Sequence, residues 1–271
     1  MYEQLFEPIQ VGGVVIPNRI VRAPHGTHLK GEDLIAYHEA RARGGVGMST
    51  VSATSVHPMA PDTIPLWSDE CMGFLEALSS RVHQHGMKMF QQIYHPGAGQ
   101  GEATHAGENW SASEIPNPMA GLVPVAMTKT MIDHLVAHLA GAARRNRDAG
   151  MDGVDSHASS GYLIHEFQSP ALNQREDEYG GSAQNRLRLL LEVIAAVRDE
   201  VGEADFAVGV RLPNEDYVPG GITSQLSREI AEAVDPLVDY VSLHMGAYWR
   251  FHKLIAPADD PLGIEMKPNA N

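Results

Sequence analysis

Two periods of apolar residues take turns along the chain. Short apolar or β-branched runs over 19–23, 46–53, 88–95, 153–157, 206–211 and 240–244 predict strands covered on both faces. Ahead of them, residues 9–17 alternate around Gly12-Gly13 and predict a hairpin. Between the runs, apolar residues recur every three or four positions, as a helix with one buried face requires. Ser68 precedes Cys71, Phe74, Leu75, Leu78 and Val82, with a stop at Gly86. Thr130 and Asp133 resemble a capping box before Ile132, Leu135, Val136, Leu139 and Ala143, which run to Gly150. Ser182 opens a helix through Leu187, Leu190, Leu191, Ile194 and Val197, ended by Gly202. Thr223 or Ser224 opens another through Leu226, Ile230 and Val234.

Strand and helix repeated in this way predict a parallel sheet, and two architectures compete for it. A doubly wound dinucleotide fold needs a glycine-rich turn after its first strand. The chain offers Ala23-Pro-His-Gly-Thr27 there, with the wrong spacing. By contrast His95, His157, Arg211 and His244 fall at the carboxyl ends of different predicted strands, where a (β/α)₈ TIM barrel builds its active site. The expected fold is therefore an α/β TIM barrel with an N-terminal β-hairpin, of which about six strands are present. No linker or repeat divides residues 1–271, which are expected to form a single, incomplete domain.

Composition narrows the partners. A hydrophobic fraction of 43% with 20% charged residues is ordinary for a globular chain, and the formal charge of −14 opposes binding to nucleic acid or an anionic membrane. Cys71 is the only cysteine, so the chain forms no internal disulfide and no cysteine-held metal cluster. The start, MYEQLFEPIQ, lacks a basic-then-apolar signal pattern. The longest apolar stretch, 189–197, is broken by Glu192 and too short to span a bilayer. A cytoplasmic location is expected.

The pieces LFEPIQVGGVVIPNRIVRAPHGT, QQIYHPG, DAGMDGVDSHASSGYLIHEF, SPALNQREDEYGGSAQNR and VGVRL occur in one order across essentially the whole chain. Together they resemble the old yellow enzyme family of flavin oxidoreductases, in the branch that includes 2,4-dienoyl-CoA reductase and trimethylamine dehydrogenase. The resemblance implies bound FMN and NAD(P)H as electron donor. It places Ala23, Pro24, His25 and Gly26 against the flavin after the first strand, and Ala53 after the second. It gives Gln92 a hydrogen bond to the pyrimidine ring and sets Arg211 beside N1 and O2. A fixed guanidinium there would offset negative charge on the ring.

The resemblance also makes His157 a donor to a substrate oxygen and Tyr162 the proton donor to a substrate carbon. The family carries His or Asn three residues after the strand-four histidine; this chain has Ser160, a single shorter donor. Gly26 likewise stands where many members have a thiol or threonine. His165 and Glu166 read as structural, and Asn173, Arg175, Asp177, Tyr179 and Gly180-Gly181 as a network that locks the loop.

The expected reaction is reduction of the C=C bond of an α,β-unsaturated carbonyl or thioester. The alternatives are amine dehydrogenation or N-demethylation on the same fold, and a flavin-free partial barrel. A metal-dependent barrel hydrolase fares worse: no His-x-His pair ends the first strand, and no metal is expected. A Schiff-base lyase lacks a lysine at a strand exit. Because a barrel needs eight strands, the chain is expected to be a fragment, with 249–271 resembling the connection after strand six. Weak FMN binding and self-association through an open edge would follow, as a homo-oligomer or as pairing with a missing C-terminal segment.

Overall fold

The computed structural model describes residues 2–99, 109–117, 121–202 and 205–248. A 3₁₀ turn over Glu3–Phe6 leads into the expected hairpin, β1 (Ile9–Val11) and β2 (Val14–Ile16). Next come β3 (Val21–Arg22), α1 (Gly31–Arg43), β4 (Met48–Ser55), α2 (Met72–His83) and β5 (Lys88–Tyr94). Two short strands, β6 (Trp110–Ser111) and β7 (Val125–Ala126), pair with each other before α3 (Lys129–Asp148). The order then runs β8 (Gly153–His157), α4 (Leu163–Gln168), α5 (Ala183–Val201), β9 (Ala207–Pro213), α6 (Ser224–Val234) and β10 (Tyr240–His244).

Strands β3, β4, β5, β8, β9 and β10 form one parallel sheet in that spatial order. Each strand joins on the same side of its predecessor, so the sheet has no point where the order reverses, as a doubly wound fold would. It curls instead into a half-barrel, as expected. The predicted strands all form; β8 and β10 have the expected bounds, and β3 is shorter.

Three helix starts differ from expectation. Thr128, not Thr130, caps α3, accepting the Met131 amide at 3.3 Å. Ser68 makes no side-chain cap, because a 3₁₀ turn over Asp69–Cys71 comes between it and α2. Helix α1 was not foreseen at all. It starts after Lys30 without a side-chain cap, and its buried positions are only Leu34, Ile35, His38 and Ala42. Ser182 caps α5 as predicted, Thr223 of the two candidates caps α6, and Gly202 ends α5 with φ 70°.

Two cores sit on opposite faces of the sheet. The larger packs α1, α2, α3, α5 and α6 onto the outside and includes Leu75, Leu78, Leu135, Leu139, Leu190 and Val193. The smaller lies inside the curve, where Val14 and Ile16 of the hairpin meet Met48, Phe90 and Ala207, with Tyr240 alongside. Those partners lie near the starts of their strands, so the hairpin plugs that end and leaves the carboxyl ends to form a mouth. Among the described residues no helix is long and apolar enough to cross a membrane.

Candidate active site

A cavity of about 640 Å³ opens at the carboxyl ends of the strands. Its walls come from the segment after β3, the end of β4, β5, the β8–α4 loop, β9 and the residues after β10. A bulge in the β4–β5 ladder between Val51 and Thr54 brings consecutive residues Ser52 and Ala53 to the cavity, where regular pleating would alternate them.

Strand pleating sets the interior layers. Gly153, Asp155 and His157 alternate on one face of β8. Asp155 lies across from Gln92 on β5 and Gly209 on β9, and His157 across from Arg211. The glycines are required by space: a Cβ on Gly153 would lie 2.4 Å from the Phe90 ring, and one on Gly209 2.1 Å from the Tyr240 ring.

Asp155 is buried and accepts a 2.7 Å hydrogen bond from the Gln92 amide nitrogen. Burial lifts its carboxyl to about 6, opposed by the Gln92 hydrogen bond and the Arg211 charge. An ionised carboxylate only accepts, so it fixes Gln92 with NH₂ toward Asp155 and leaves the amide oxygen as an acceptor for a ligand. Arg211 lines the cavity, and among the described residues its guanidinium makes no hydrogen bond or ion pair. Burial lowers its pKa. A half-buried guanidinium with no hydrogen bond to hold it is a ready site for an anionic ring edge.

The β8–α4 loop delivers three groups to the mouth. His157 is buried, and its Nδ1 lies 3.1 Å from Ser159 Oγ. Burial first, then Arg211, holds it well below the usual histidine range, so it is neutral at neutral pH with one N–H to donate. Ser160 adopts φ 67°, and its hydroxyl sits 2.9 Å from His244 Nδ1. Tyr162 follows Gly161, its ring centroid 4.8 Å from His157 and 4.7 Å from Tyr94, both edge to face. Its hydroxyl donates to Tyr248 at 2.6 Å. Burial, with the neighbouring phenols, pushes the Tyr162 pKa above its ordinary value, so the group stays protonated throughout the neutral range.

The loop is held from behind. His165 accepts the Gly161 amide and lies 2.8 Å from Asp216, both side chains fully buried. Glu166 accepts the Ala98 amide at 2.9 Å, and burial raises it to about 8. Gly97 has φ 64°, and a Cβ there would come within 2.5 Å of Glu166. The His-Pro-Gly turn after β5 is thus shaped to receive that carboxyl. Asn173 bridges the Phe167 and Tyr179 carbonyls at 2.7 Å each. Arg175 pairs with Asp177 and donates to the Ala112 and Met127 carbonyls. These residues brace the loop, as expected of them.

Of the residues singled out from sequence, Pro24, His25, Gly26, Ala53, Gln92, His157, Ser160, Tyr162 and Arg211 all line the cavity. Ala23 does not; the wall begins at Pro24, and the Arg22 guanidinium holds the His25 carbonyl at 3.1 Å. Sequence reasoning placed His244 at a strand end without a specific role and passed over Asp155, Tyr94 and Tyr248. An acid in the middle of a buried strand was the available signal for Asp155. Tyr248 is held where its amide donates to the Ser160 carbonyl and its hydroxyl accepts from Tyr162, contacts that local patterning cannot reveal. The stretch 249–271 lies outside the described residues, so the expectation about it does too.

The set suits a flavin ring: an amide oxygen on Gln92 and a guanidinium on Arg211 that make no hydrogen bond among the described residues, with Ala53 and residues 24–26 alongside. Comparison with known proteins agrees. The chain is 34% identical over 270 residues to the NADH oxidase of Thermoanaerobacter brockii, covering 95% of this chain and 41% of that one. It is similar in structure to a 2-naphthoyl-CoA reductase in complex with 2-naphthoyl-CoA, with TM-score 0.83 and 28% identity over 92% of this chain and 41% of the other. It is also similar to the histamine dehydrogenase of Rhizobium sp. 4-9, with TM-score 0.83 and 27% identity over 91% and 37%. The chain therefore spans about two fifths of the length of these relatives. Residues 4–260 match the NADH:flavin oxidoreductase / NADH oxidase family, so a parallel half-barrel with an arginine-lined mouth belongs, by sequence and by fold, to that family of old yellow enzyme relatives.

Proposed function

We propose that the chain carries the flavin-ring and substrate half of an FMN-dependent, NAD(P)H-driven ene reductase acting on an α,β-unsaturated carbonyl or thioester. The observation that carries this reading is the meeting of a protonated phenol, a neutral imidazole and a half-buried guanidinium in one cavity. Bound FMN would supply hydride transfer between nicotinamide and substrate. Gln92 and Arg211 would hold the ring, with Ala53 and the 24–26 backbone against its edge. No cysteine is placed to attach it, because Cys71 is fully buried in the outer core and burial raises its thiol pKa.

The protein groups account for the rest of the chemistry. His157 and Ser160 donate to the substrate carbonyl oxygen, where negative charge grows as the alkene is reduced. Ser160 is a short donor, and the His244 ring 2.9 Å behind it keeps the hydroxyl aimed. Tyr162 gives its proton to the carbon that does not receive hydride. Loss of that proton leaves a buried phenolate, which the Tyr248 hydroxyl can stabilise by turning to donate.

The likeness to histamine dehydrogenase favours a second reading, oxidation of an amine, which needs no proton donor and no carbonyl grip. Anaerobic flavin absorbance separates the two. Enones or enoyl thioesters should reoxidise flavin that NAD(P)H has reduced, and N-methyl amines should leave oxidised flavin unchanged. Bleaching by amines, with no response to enones, would reverse the assignment.

A further inference from the structure

Three histidines meet on the outside of the sheet, clear of the residues that line the flavin cavity. His57 lies just past β4, and His134 and His138 stand one turn apart on α3. One ligand nitrogen from each lies within 4.8 Å of the others. Ring centroids are 4.6 Å apart for His57 and His138, 4.8 Å for His134 and His138, and 5.8 Å for His57 and His134. The sequence expectation of no metal rested on histidines at strand ends, and these lie elsewhere.

Several observations point to a cation there rather than to ordinary packing. Spacing of i and i+4 puts His134 and His138 on one helix face, the arrangement by which helices present two imidazoles to one metal. His57 is only 4% exposed, yet its Nε2 has no hydrogen-bond partner among the described residues. Its Nδ1 takes the Met59 amide at 3.3 Å, so Nε2 is the atom left for a ligand. Coordination through Nε2 moves the ring proton to Nδ1 and gives up that long contact. The His138 ring hydrogen-bonds the Val56 backbone, as metal-bound imidazoles use their second nitrogen. Trp110, with its ring centroid 4.8 Å from His57, walls the site with an apolar surface.

We propose that His57, His134 and His138 bind a divalent transition metal of the zinc class, with solvent completing the coordination. Three imidazoles with no carboxylate or thiolate suit Zn²⁺, Co²⁺, Ni²⁺ or Cu²⁺ and select against Mg²⁺ and Ca²⁺. The metal ties the loop after β4 to α3. Five residues on, that loop supplies Asp62, Thr63 and Ile64 to the cavity wall, so the site braces one side of the mouth.

The untagged full chain, stripped of metal, should be titrated with Co²⁺ and followed by its visible d–d absorption. One equivalent should give the bands of a nitrogen-ligated low-coordinate ion, removed by Zn²⁺ and unaffected by Mg²⁺. His134→Ala changes an exposed side chain and leaves the fold intact; it should weaken Co²⁺ binding about 100-fold or more, since losing even a partner of a metal ligand costs about 10–100-fold. His57→Ala, checked by circular dichroism, should do the same. Failure to see a one-equivalent band, or equal titrations of wild type and His134→Ala, would overturn the site and mark any binding as scattered surface histidine.

Discussion

Replacing Asp155 by asparagine should make the protein more stable at neutral pH while weakening its hold on flavin. The carboxyl is 2% exposed and ionises near 6 rather than 3.8, chiefly because burial disfavours its charge. With the folded pKa above the unfolded one, the folded state binds more protons between these values. Stability therefore falls as pH rises from about 4 to about 6 and stays at the lower level above. That gap corresponds to about 3 kcal/mol at neutral pH. Asparagine removes the charge and keeps an oxygen to accept from Gln92, so the variant should gain about 1–3 kcal/mol at about pH 7.5 and nothing below about pH 4. Urea unfolding at the two pH values, followed by far-ultraviolet circular dichroism, measures the difference. A variant less stable at about pH 7.5, or a gain equal at both, would refute the reasoning. The functional cost has its own cause. An amide at 155 can donate as well as accept, so Gln92 is free to turn its oxygen away from the cavity, and FMN titration should show weaker binding.

Other outcomes follow from the same geometry. Tyr162→Phe should slow substrate reduction by about 10²–10⁴ while flavin reduction by NAD(P)H changes little; stopped-flow traces of the two half-reactions check this, and equal losses would make Tyr162 a structural residue. Gly153→Ala drives a methyl against the Phe90 ring and the Ala207 carbonyl, at 2.4 and 2.5 Å. A loss of about 1–3 kcal/mol in urea unfolding is expected. Asp216→Ala removes the carboxyl beside buried His165 and the acceptor of the Ile222 amide, and should cost about 1–3 kcal/mol, read as a lower melting temperature. Arg211→Met should weaken FMN binding, seen by flavin fluorescence, with the far-ultraviolet spectrum unchanged.

The parts of this fold written in short-range pattern were legible, and those made by long-range contact were not. β8 and β10 were readable to the residue because a glycine-bearing turn or a helix stop precedes each and a loop rich in polar or glycine residues follows. Helix α1 escaped because its buried face is sparse and includes His38, a polar residue that breaks the apolar stripe. The cap of α3 was misplaced by two residues because Thr128 and Thr130 both precede an apolar period, and only backbone geometry chooses between them. Within the site, the run from His157 to Tyr162 could be found because a strand, a turn and a helix start place it locally. Asp155, His244 and Tyr248 acquire their meaning from neighbours dozens of residues away, as does the histidine trio, whose members come from a loop and a helix with β5 between them.

The left-handed backbone at Ser160 limits how this active site can be altered. A residue other than glycine pays to sit at φ 67°, and asparagine pays among the least. A change of Ser160 to asparagine would therefore lengthen the donor without disturbing the turn that leads to Tyr162. A β-branched replacement such as threonine or valine would strain that turn and move the phenol before it altered any contact with substrate. Diversification at this position is thus channelled by the main chain toward a few side chains, whatever chemistry selection favours.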